Sequence, residues 1–197
     1  MRAMLGITGA SGAPYAARIL RALTDAGAEV GVCASRAGRQ VIALEIYGDR
    51  EMDGSDALER FVADHAGGDV RIWEERDYTA PYASGSSRTD AVIISPCSMA
   101  SIGTIVAGAE ANLIHRAAGV QLKERRKLVL VPRETPLSSI HLENLLKLRN
   151  AGADIVAAMP GFYHLPRTID DLVDFVAGRV IDSVGIDMTL SQRWSDR

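Results

Sequence analysis

Short apolar segments alternate with amphipathic helical segments along most of this chain, and this alternation strongly limits the possible folds. The run Ala91–Ser95 is almost wholly apolar, as is typical of a parallel strand buried on both faces. Further strands are predicted at Ala3–Ile7, Glu29–Ala34, Val70–Trp73, Leu128–Val131 and Ala153–Ala157. Helices are predicted between them, and a capping box at Thr168–Asp171 opens the last one. The pattern predicts an α/β fold with helices on both faces of a parallel sheet.

The composition is typical of one soluble domain, which we expect to span residues 1–197. Hydrophobic residues make up 47% of the chain, and the net charge of −3 disfavours a nucleic-acid partner. No apolar run approaches the roughly 20 residues that span a bilayer, and we expect a cytoplasmic protein without a signal peptide or a membrane contact. The four histidines lack metal-ligand spacing, so no metal is expected. Residues 49–67 are predicted to form a surface insertion with a short helix.

Small and hydroxyl-bearing residues follow several of the predicted strands, where ligands bind in parallel sheets. Gly9–Gly12 connects the first strand to a helix whose first N–H groups favour a phosphate. The alternative is a tight turn in which Ser11 is only the helix N-cap. Ser35 and the segment Ser98–Ser101 add hydroxyl groups at two further strand ends. Cys97 is a possible nucleophile, but a buried structural thiol is the favoured interpretation.

Charged and aromatic residues follow the later strands. Arg133 and Glu134 lie between two prolines, where the arginine can bind a phosphate and the carboxylate can move a proton. The alternative is a salt bridge between the two. Tyr163 can donate a hydrogen bond to an anion, whereas His164 is more simply a structural residue. Lys123 belongs to a basic run and could still point into a site.

Several longer segments resemble the UbiX-type flavin prenyltransferases, formerly described as aromatic-acid decarboxylases. The most specific are residues 128–136, LVLVPRETP, and residues 160–164, PGFYH. Others are residues 6–12, 83–86, 96–99, 112–118, 122–126, 171–174 and 178–179, so the resemblance covers almost the whole chain. It implies a flavodoxin-like or Rossmann-like fold and a large homo-oligomer, typically a dodecamer. It also implies that a dimethylallyl group from dimethylallyl phosphate is joined to N5 and C6 of reduced FMN without a metal. The product, prenylated FMN, would serve UbiD-type decarboxylases.

The resemblance also implies roles for individual residues. The flavin would be bound by Gly9, Ala10, Ser11, Ser35, Ser98, Met99, Ala100, Ser101 and Arg133. The prenyl donor would be bound by Lys123, Glu134, Tyr163 and Arg179, with Arg116 from a neighbouring subunit. Ser11, Glu45, Lys123 and Glu134 would be catalytic, and Trp194, in a tail from about residue 186 that packs on a neighbour, would help to close the site.

Two departures from the family pattern affect the expected pocket. Tyr78 stands where close relatives carry tryptophan, and Ala100 replaces a lysine that many members carry.

Two other functions stay open at this point. One is a flavin-dependent cysteine decarboxylase of the same superfamily, although the helix that carries Glu45 lacks the histidine that those enzymes use. The other is a non-catalytic subunit that carries FMN.

Overall fold

The computed structural model describes residues 1–191, in which six parallel strands form one sheet. The strands are β1 Arg2–Ile7, β2 Glu29–Ala34, β3 Val70–Ile72, β4 Ala91–Cys97, β5 Lys127–Pro132 and β6 Asp154–Ile155. Their order across the sheet is β3-β2-β1-β4-β5-β6. This is the order of a doubly wound Rossmann sheet, in which the connections from β1 and β4 leave in opposite directions. The predicted α/β class and parallel sheet are confirmed.

Seven α-helices connect and cover the strands. They are α1 Ala13–Asp25, α2 Arg36–Tyr47, α3 Gly54–His65, α4 Met99–Val106, α5 Leu113–Lys123, α6 Ser139–Asn150 and α7 Ile169–Ser183. There is a buried apolar cluster on each face of the sheet: one contains residues of α1, α2, α3 and α7, and the other contains residues of α4, α5 and α6. None of the helices described is long and apolar enough to cross a membrane.

The short helix predicted within residues 49–67 is present, but the prediction that this segment is a surface insertion is wrong. The segment contains α3, in which Ala57, Leu58 and Phe61 are almost fully buried in the core. Their spacing places all three on one face of a helix, and that face packs on α1 and α2. The charged residues of the segment lie on the opposite face, and for that reason the sequence resembled that of an exposed segment.

The last strand is shorter than predicted, because β6 has only two residues instead of the five in Ala153–Ala157. Its backbone still follows β5 beyond Ile155: Val156 N donates to Leu130 O at 2.9 Å, and Ala158 N donates to Pro132 O at 3.0 Å. The chain therefore reaches the same edge of the sheet as predicted.

The segment after α7 packs on its own chain as far as residue 190. Ile186, Met188 and Leu190 are partly buried against the cluster that contains α1 and α7. This part of the expected tail is therefore held within the subunit. Trp194 lies outside the described residues, and its contact with a neighbouring subunit stays a prediction.

Candidate active site

Thr8 joins the ends of the two central strands, β1 and β4. Its buried hydroxyl donates to Pro96 O at 2.9 Å and accepts a hydrogen bond from Ser98 N at 2.8 Å. The Thr8 N–H also donates to Pro96 O, at 3.1 Å. These bonds fix the place where the connections that follow β1 and β4 diverge. Sheets of this kind bind their ligands in the crevice at that place. Sequence reasoning missed Thr8, although a hydroxyl directly after the first strand was a visible signal.

The N-terminus of α2 packs closely against the end of β1. Ser35 N donates to Ile7 O at 2.9 Å, and the Ser35 hydroxyl accepts from Gly38 N at 3.1 Å as the N-cap of α2. A Cβ atom on Gly9 would lie 2.5 Å from the Ala37 side chain, closer than atoms can pack. Glycine at position 9 therefore allows the turn after β1 to lie directly on α2.

Glu45 caps α1 from a different helix. Its Oε2 atom accepts hydrogen bonds from Gly12 N at 2.8 Å and from Ala13 N at 2.9 Å. The expectation that these first N–H groups are free for a phosphate is therefore wrong. The alternative, in which Ser11 is the N-cap, is also wrong, because Gly12 occupies that position and Ser11 is exposed.

Arg133 brings the end of β5 to the turn after β1. Its Nε atom donates to Ser11 O at 3.1 Å. Glu134 instead accepts a hydrogen bond from Thr135 N at 3.0 Å, and no ion pair joins Glu134 to Arg133 among the described residues. The alternative in which the two form a salt bridge is not observed, and both side chains remain partly exposed at this edge.

The first turn of α4 faces the same edge. The Ser98 hydroxyl accepts from Ser101 N at 3.2 Å and donates to the Ser101 hydroxyl at 3.1 Å. Helix geometry leaves the N–H groups of Met99 and Ala100 without an acceptor inside the helix. We call the region formed by Gly9–Gly12, Ser35, Ser98–Ser101 and Arg133 the switch-point cleft. It consists of the predicted flavin-binding residues, which follow β1, β2, β4 and β5, and Glu45 joins it through its bond to Gly12.

Two of the predicted donor-binding residues lie on α7 and the loop before it. The Tyr163 ring packs edge-on against Phe175 of α7, with ring centroids 5.7 Å apart. Arg179 lies one turn after Phe175 on α7, and its guanidinium donates to Asp182 at 3.1 Å. Glu134, Tyr163 and Arg179 are thus carried by segments that follow β5 and β6.

Lys123 lies at the opposite edge of the sheet. It ends α5 and precedes the start of β5, whereas Glu134 follows the end of β5. A six-residue strand separates these positions by roughly 17 Å, which exceeds the reach of a lysine side chain. Lys123 Nζ pairs with Glu124 beside Gly85. One chain therefore does not bring Lys123 and Glu134 together, contrary to their assignment to one ligand within one chain.

Arg116 also lies away from the switch-point cleft. Its guanidinium forms a bidentate pair with Glu110, at 2.7 and 2.8 Å, and donates to Ala83 O at 2.8 Å. This position is compatible with the expectation that Arg116 serves a neighbouring subunit. Both Arg116 and Lys123 belong to α5, so one helix carries both cations.

The position of Cys97 does not favour a role as a nucleophile. It is fully buried at the end of β4, and burial raises the pKa of its thiol far above the usual range. The structural interpretation of this residue is therefore favoured. Within residues 1–191, no group of three or more histidine, cysteine or acidic side chains is arranged to hold a metal ion.

The sequence profile of the Flavoprotein family matches residues 1–181, and the chain therefore belongs to this family of flavin-binding proteins. Within it, the chain is 46% identical over 200 aligned residues to flavin prenyltransferase UbiX of Pseudomonas aeruginosa, covering 100% of this chain and 95% of that protein. Within this family, the chain therefore belongs to the UbiX flavin prenyltransferases.

Two solved structures agree with this placement. One is a dodecameric FMN-dependent UbiX-like decarboxylase from Escherichia coli O157:H7, with a TM-score of 0.86, 42% identity and coverage of 98% of this chain and 99% of that one. The other is AnUbiX (PadA1) in complex with FMN and dimethylallyl pyrophosphate, with a TM-score of 0.86, 37% identity and coverage of 98% and 96%. The Rossmann-like fold predicted from the sequence is therefore the fold of these flavoproteins.

Proposed function

We propose that this chain is a flavin prenyltransferase that joins the dimethylallyl group of dimethylallyl phosphate to N5 and C6 of reduced FMN. The proposal rests on the switch-point cleft, in which Arg133 bonds to the turn that carries Ser11. The chain that forms this cleft is 46% identical along its whole length to a flavin prenyltransferase. The prenylated flavin would then serve a UbiD-type decarboxylase. Residues 1–197 would act as a single flavoprotein domain.

The residues of the switch-point cleft fit FMN. The first turn of α4, with its N–H groups and the Ser98 and Ser101 hydroxyls, suits a phosphate or the ribityl hydroxyls. Arg133 adds a positive charge, and the absence of a side chain at Gly9 leaves the turn open to close approach of a ligand. When bound, FMN would supply the nucleophilic ring atoms for the reaction.

Ser11 and Glu45 lie beside each other at the start of α1. Glu45 holds the turn through the Gly12 and Ala13 amides, and so it fixes the backbone that carries Ser11. The exposed Ser11 hydroxyl can then hold a proton near the flavin ring. Glu45 contributes in this proposal mainly by fixing that turn, and its carboxylate is close enough to the turn to exchange a proton with a ligand there.

The donor side requires groups that stabilise a departing phosphate as the C–O bond breaks. Tyr163 can donate a hydrogen bond, Arg179 provides positive charge, and Glu134 can protonate the leaving oxygen. Lys123 and Arg116 would join them from another copy of the chain, because their own chain places them elsewhere. An arrangement of fixed charges of this kind stabilises the transition state without reorganisation of water.

Apolar side chains on the surface support a large homo-oligomer, which we expect to be a dodecamer. Ile140, Leu142 and Leu146 of α6 are each more than half exposed, as is Phe162 beside Tyr163. Monomeric proteins rarely leave such groups together in water. Assembly through these surfaces would bury them and would bring α5 of one copy towards the donor residues of another.

The test is an anaerobic reaction of the protein with reduced FMN and dimethylallyl phosphate, followed by the mass of the released flavin. We expect a gain of one C5H8 unit. The variant Glu134→Gln should bind FMN normally but transfer the prenyl group much more slowly, since it cannot supply a proton. An unchanged flavin mass with the monophosphate and with the diphosphate, in a folded protein that binds FMN, would reject the proposal and favour a carrier of FMN.

A further inference from the structure

Three aromatic rings form a cluster between the loop that follows β6 and helix α7. His164 stacks on Phe175, with ring centroids 5.4 Å apart and an angle of 5° between the planes. Tyr163 packs edge-on against both rings, at 5.7 Å and 78° in each case. Offset-stacked and edge-to-face pairs of this kind are the favourable arrangements of aromatic rings. His164 is therefore in contact with both of the other rings.

The backbone closes over this cluster at Gly161. A Cβ atom at that position would lie 3.0 Å from the Tyr163 ring and 3.2 Å from the Phe175 ring, which is tighter than ordinary packing. The loop is therefore shaped around the rings. A change in one ring should consequently move the loop that carries Tyr163.

The cluster also links two of the residues that are proposed to bind the donor. Phe175 and Arg179 are four residues apart on α7, so they lie on the same face of the helix. Tyr163 is held against Phe175, and its phenol is thereby placed relative to the Arg179 guanidinium. A donor phosphate that contacts both groups depends on this spacing.

His164 contributes to this cluster through its ring, because neither of its nitrogen atoms has a hydrogen-bond partner among residues 1–191. Both nitrogen atoms are buried and unpaired within the described part of the chain. The nearby Asp171 carboxylate caps α7 through its Oδ2, which accepts from Arg167 N at 2.7 Å and from Thr168 N at 2.9 Å. No Asp–His pair of the kind that activates a general base is formed here.

We propose that His164 is a positioning residue, whose stacking on Phe175 holds the Tyr163 hydroxyl at the distance from Arg179 that the donor phosphate requires. The inference rests on the proposed function in its choice of ligand. The ring geometry itself does not depend on that function. Neither Phe175 nor His164 was singled out as a site residue by sequence reasoning, since their contact joins a loop to a helix.

The test compares three substitutions that separate the ring of His164 from its hydrogen-bonding capacity. His164→Phe keeps a ring that can stack, His164→Gln keeps a polar group without a ring, and His164→Ala removes both. We expect His164→Ala and His164→Gln to raise the KM for dimethylallyl phosphate about tenfold, the loss expected from one or two aromatic contacts. His164→Phe should stay within about twofold of the unchanged protein, and the Kd for FMN should not change in any variant.

A second measurement does not require prenyl transfer. In protein labelled with 3-fluorotyrosine, the 19F resonance of Tyr163, assigned through Tyr163→Phe, should shift in the Ala and Gln variants and stay nearly in place in the Phe variant. His65→Ala is the matched control, because it removes a similar ring contact with Phe61, at 5.1 Å, on α3. It should change neither KM nor the Tyr163 resonance.

Several results would overturn the inference. Activity in His164→Gln together with a large loss in His164→Phe would show that hydrogen bonding by the imidazole matters. A KM and a Tyr163 resonance in His164→Ala equal to those of the unchanged protein would show that the ring positions nothing. If the unchanged protein transfers no prenyl group, the proposed function fails, and the 19F comparison still decides whether His164 holds Tyr163.

Discussion

At the scale of single residues, the site depends on a few buried hydrogen bonds made between segments far apart in the sequence. Thr8 bonds to Pro96 and Ser98, and Glu45 bonds to the start of α1. Such bonds cannot be predicted from local propensity, because each partner is defined only once the sheet has formed. The positions of Ser35 and Ser98 were predicted correctly for a local reason, since each is the N-cap of the helix that follows its strand.

Replacing Thr8 should destabilise the end of the central strands. Thr8→Val keeps the shape of the side chain but removes the hydroxyl. The Ser98 N–H then loses its acceptor and the Pro96 carbonyl loses one of its two donors, which should lower the free energy of unfolding by about 1–3 kcal/mol. Thr8→Ser should retain most of the stability. Thermal unfolding at a fixed protein concentration measures the difference. Equal midpoints for the Val and Ser variants would show that this hydroxyl does not hold the two strands together.

Glu45 offers a test of how the cap on α1 stabilises the protein. Glu45→Ala leaves the Gly12 and Ala13 N–H groups without their acceptor and should cost about 1–2 kcal/mol, as for other lost helix caps. Glu45→Gln keeps an oxygen acceptor and should retain most of that stability in the same unfolding measurement. If both variants are equally destabilised, the negative charge at the helix N-terminus is what stabilises α1. If neither is destabilised, the cap has no energetic role.

At the scale of elements, the local patterns predicted the strands well and the exposed connections less well. The predicted capping box at the start of α7 is present, with Thr168 and Asp171 bonding to each other's backbone. Residues 49–67 were misjudged because the burial of Phe61 depends on α1 and α2, which the local charge pattern does not report. The motifs that contain Lys123 and Glu134 do not show which edge of the sheet each residue occupies, so the sequence did not reveal that these two residues of one chain lie apart.

The contact between α2 and β1 should be sensitive to one added methyl group. A Cβ atom on Gly38 would collide with the main-chain carbonyl of Ile7, which cannot move without disturbing β1. We expect Gly38→Ala to lower the unfolding midpoint and to weaken FMN binding at least about tenfold, since the turn after β1 would shift. Fluorescence titration of FMN measures the binding.

The matched control for that substitution is Gly103→Ala in the middle of α4. A Cβ atom there meets nothing closer than 3.8 Å, and alanine is the better helix former. Its FMN affinity and unfolding midpoint should equal or exceed those of the unchanged protein. Comparable FMN affinity in the two variants would mean that the close packing of α2 on β1 does not shape the flavin site.

At the scale of the whole molecule, the expected flavin-binding residues follow strands at one edge of the sheet, whereas the expected donor-binding residues of one chain do not all lie there. Glu134 and Tyr163 follow the carboxyl ends of β5 and β6, and Arg179 lies further along α7, whereas Lys123 lies at the other end of β5. The sequence resemblance supplied all of these residues and assigned Arg116 to a neighbouring subunit, but it did not separate Lys123 from Glu134. The sheet topology separates them.

The most direct test of a shared prenyltransferase site uses two variants in one assembly. Lys123→Ala and Glu134→Gln subunits are prepared alone and as mixed oligomers, and each is given reduced FMN and dimethylallyl phosphate without oxygen. Over the time in which the unchanged protein converts its flavin, we predict little gain in flavin mass in either variant alone and a gain of one C5H8 unit in the mixed oligomers, where intact sites form between unlike copies. Mixed oligomers that stay inactive, while the unchanged protein prenylates the flavin, would contradict the sharing of Lys123 and Glu134 between subunits.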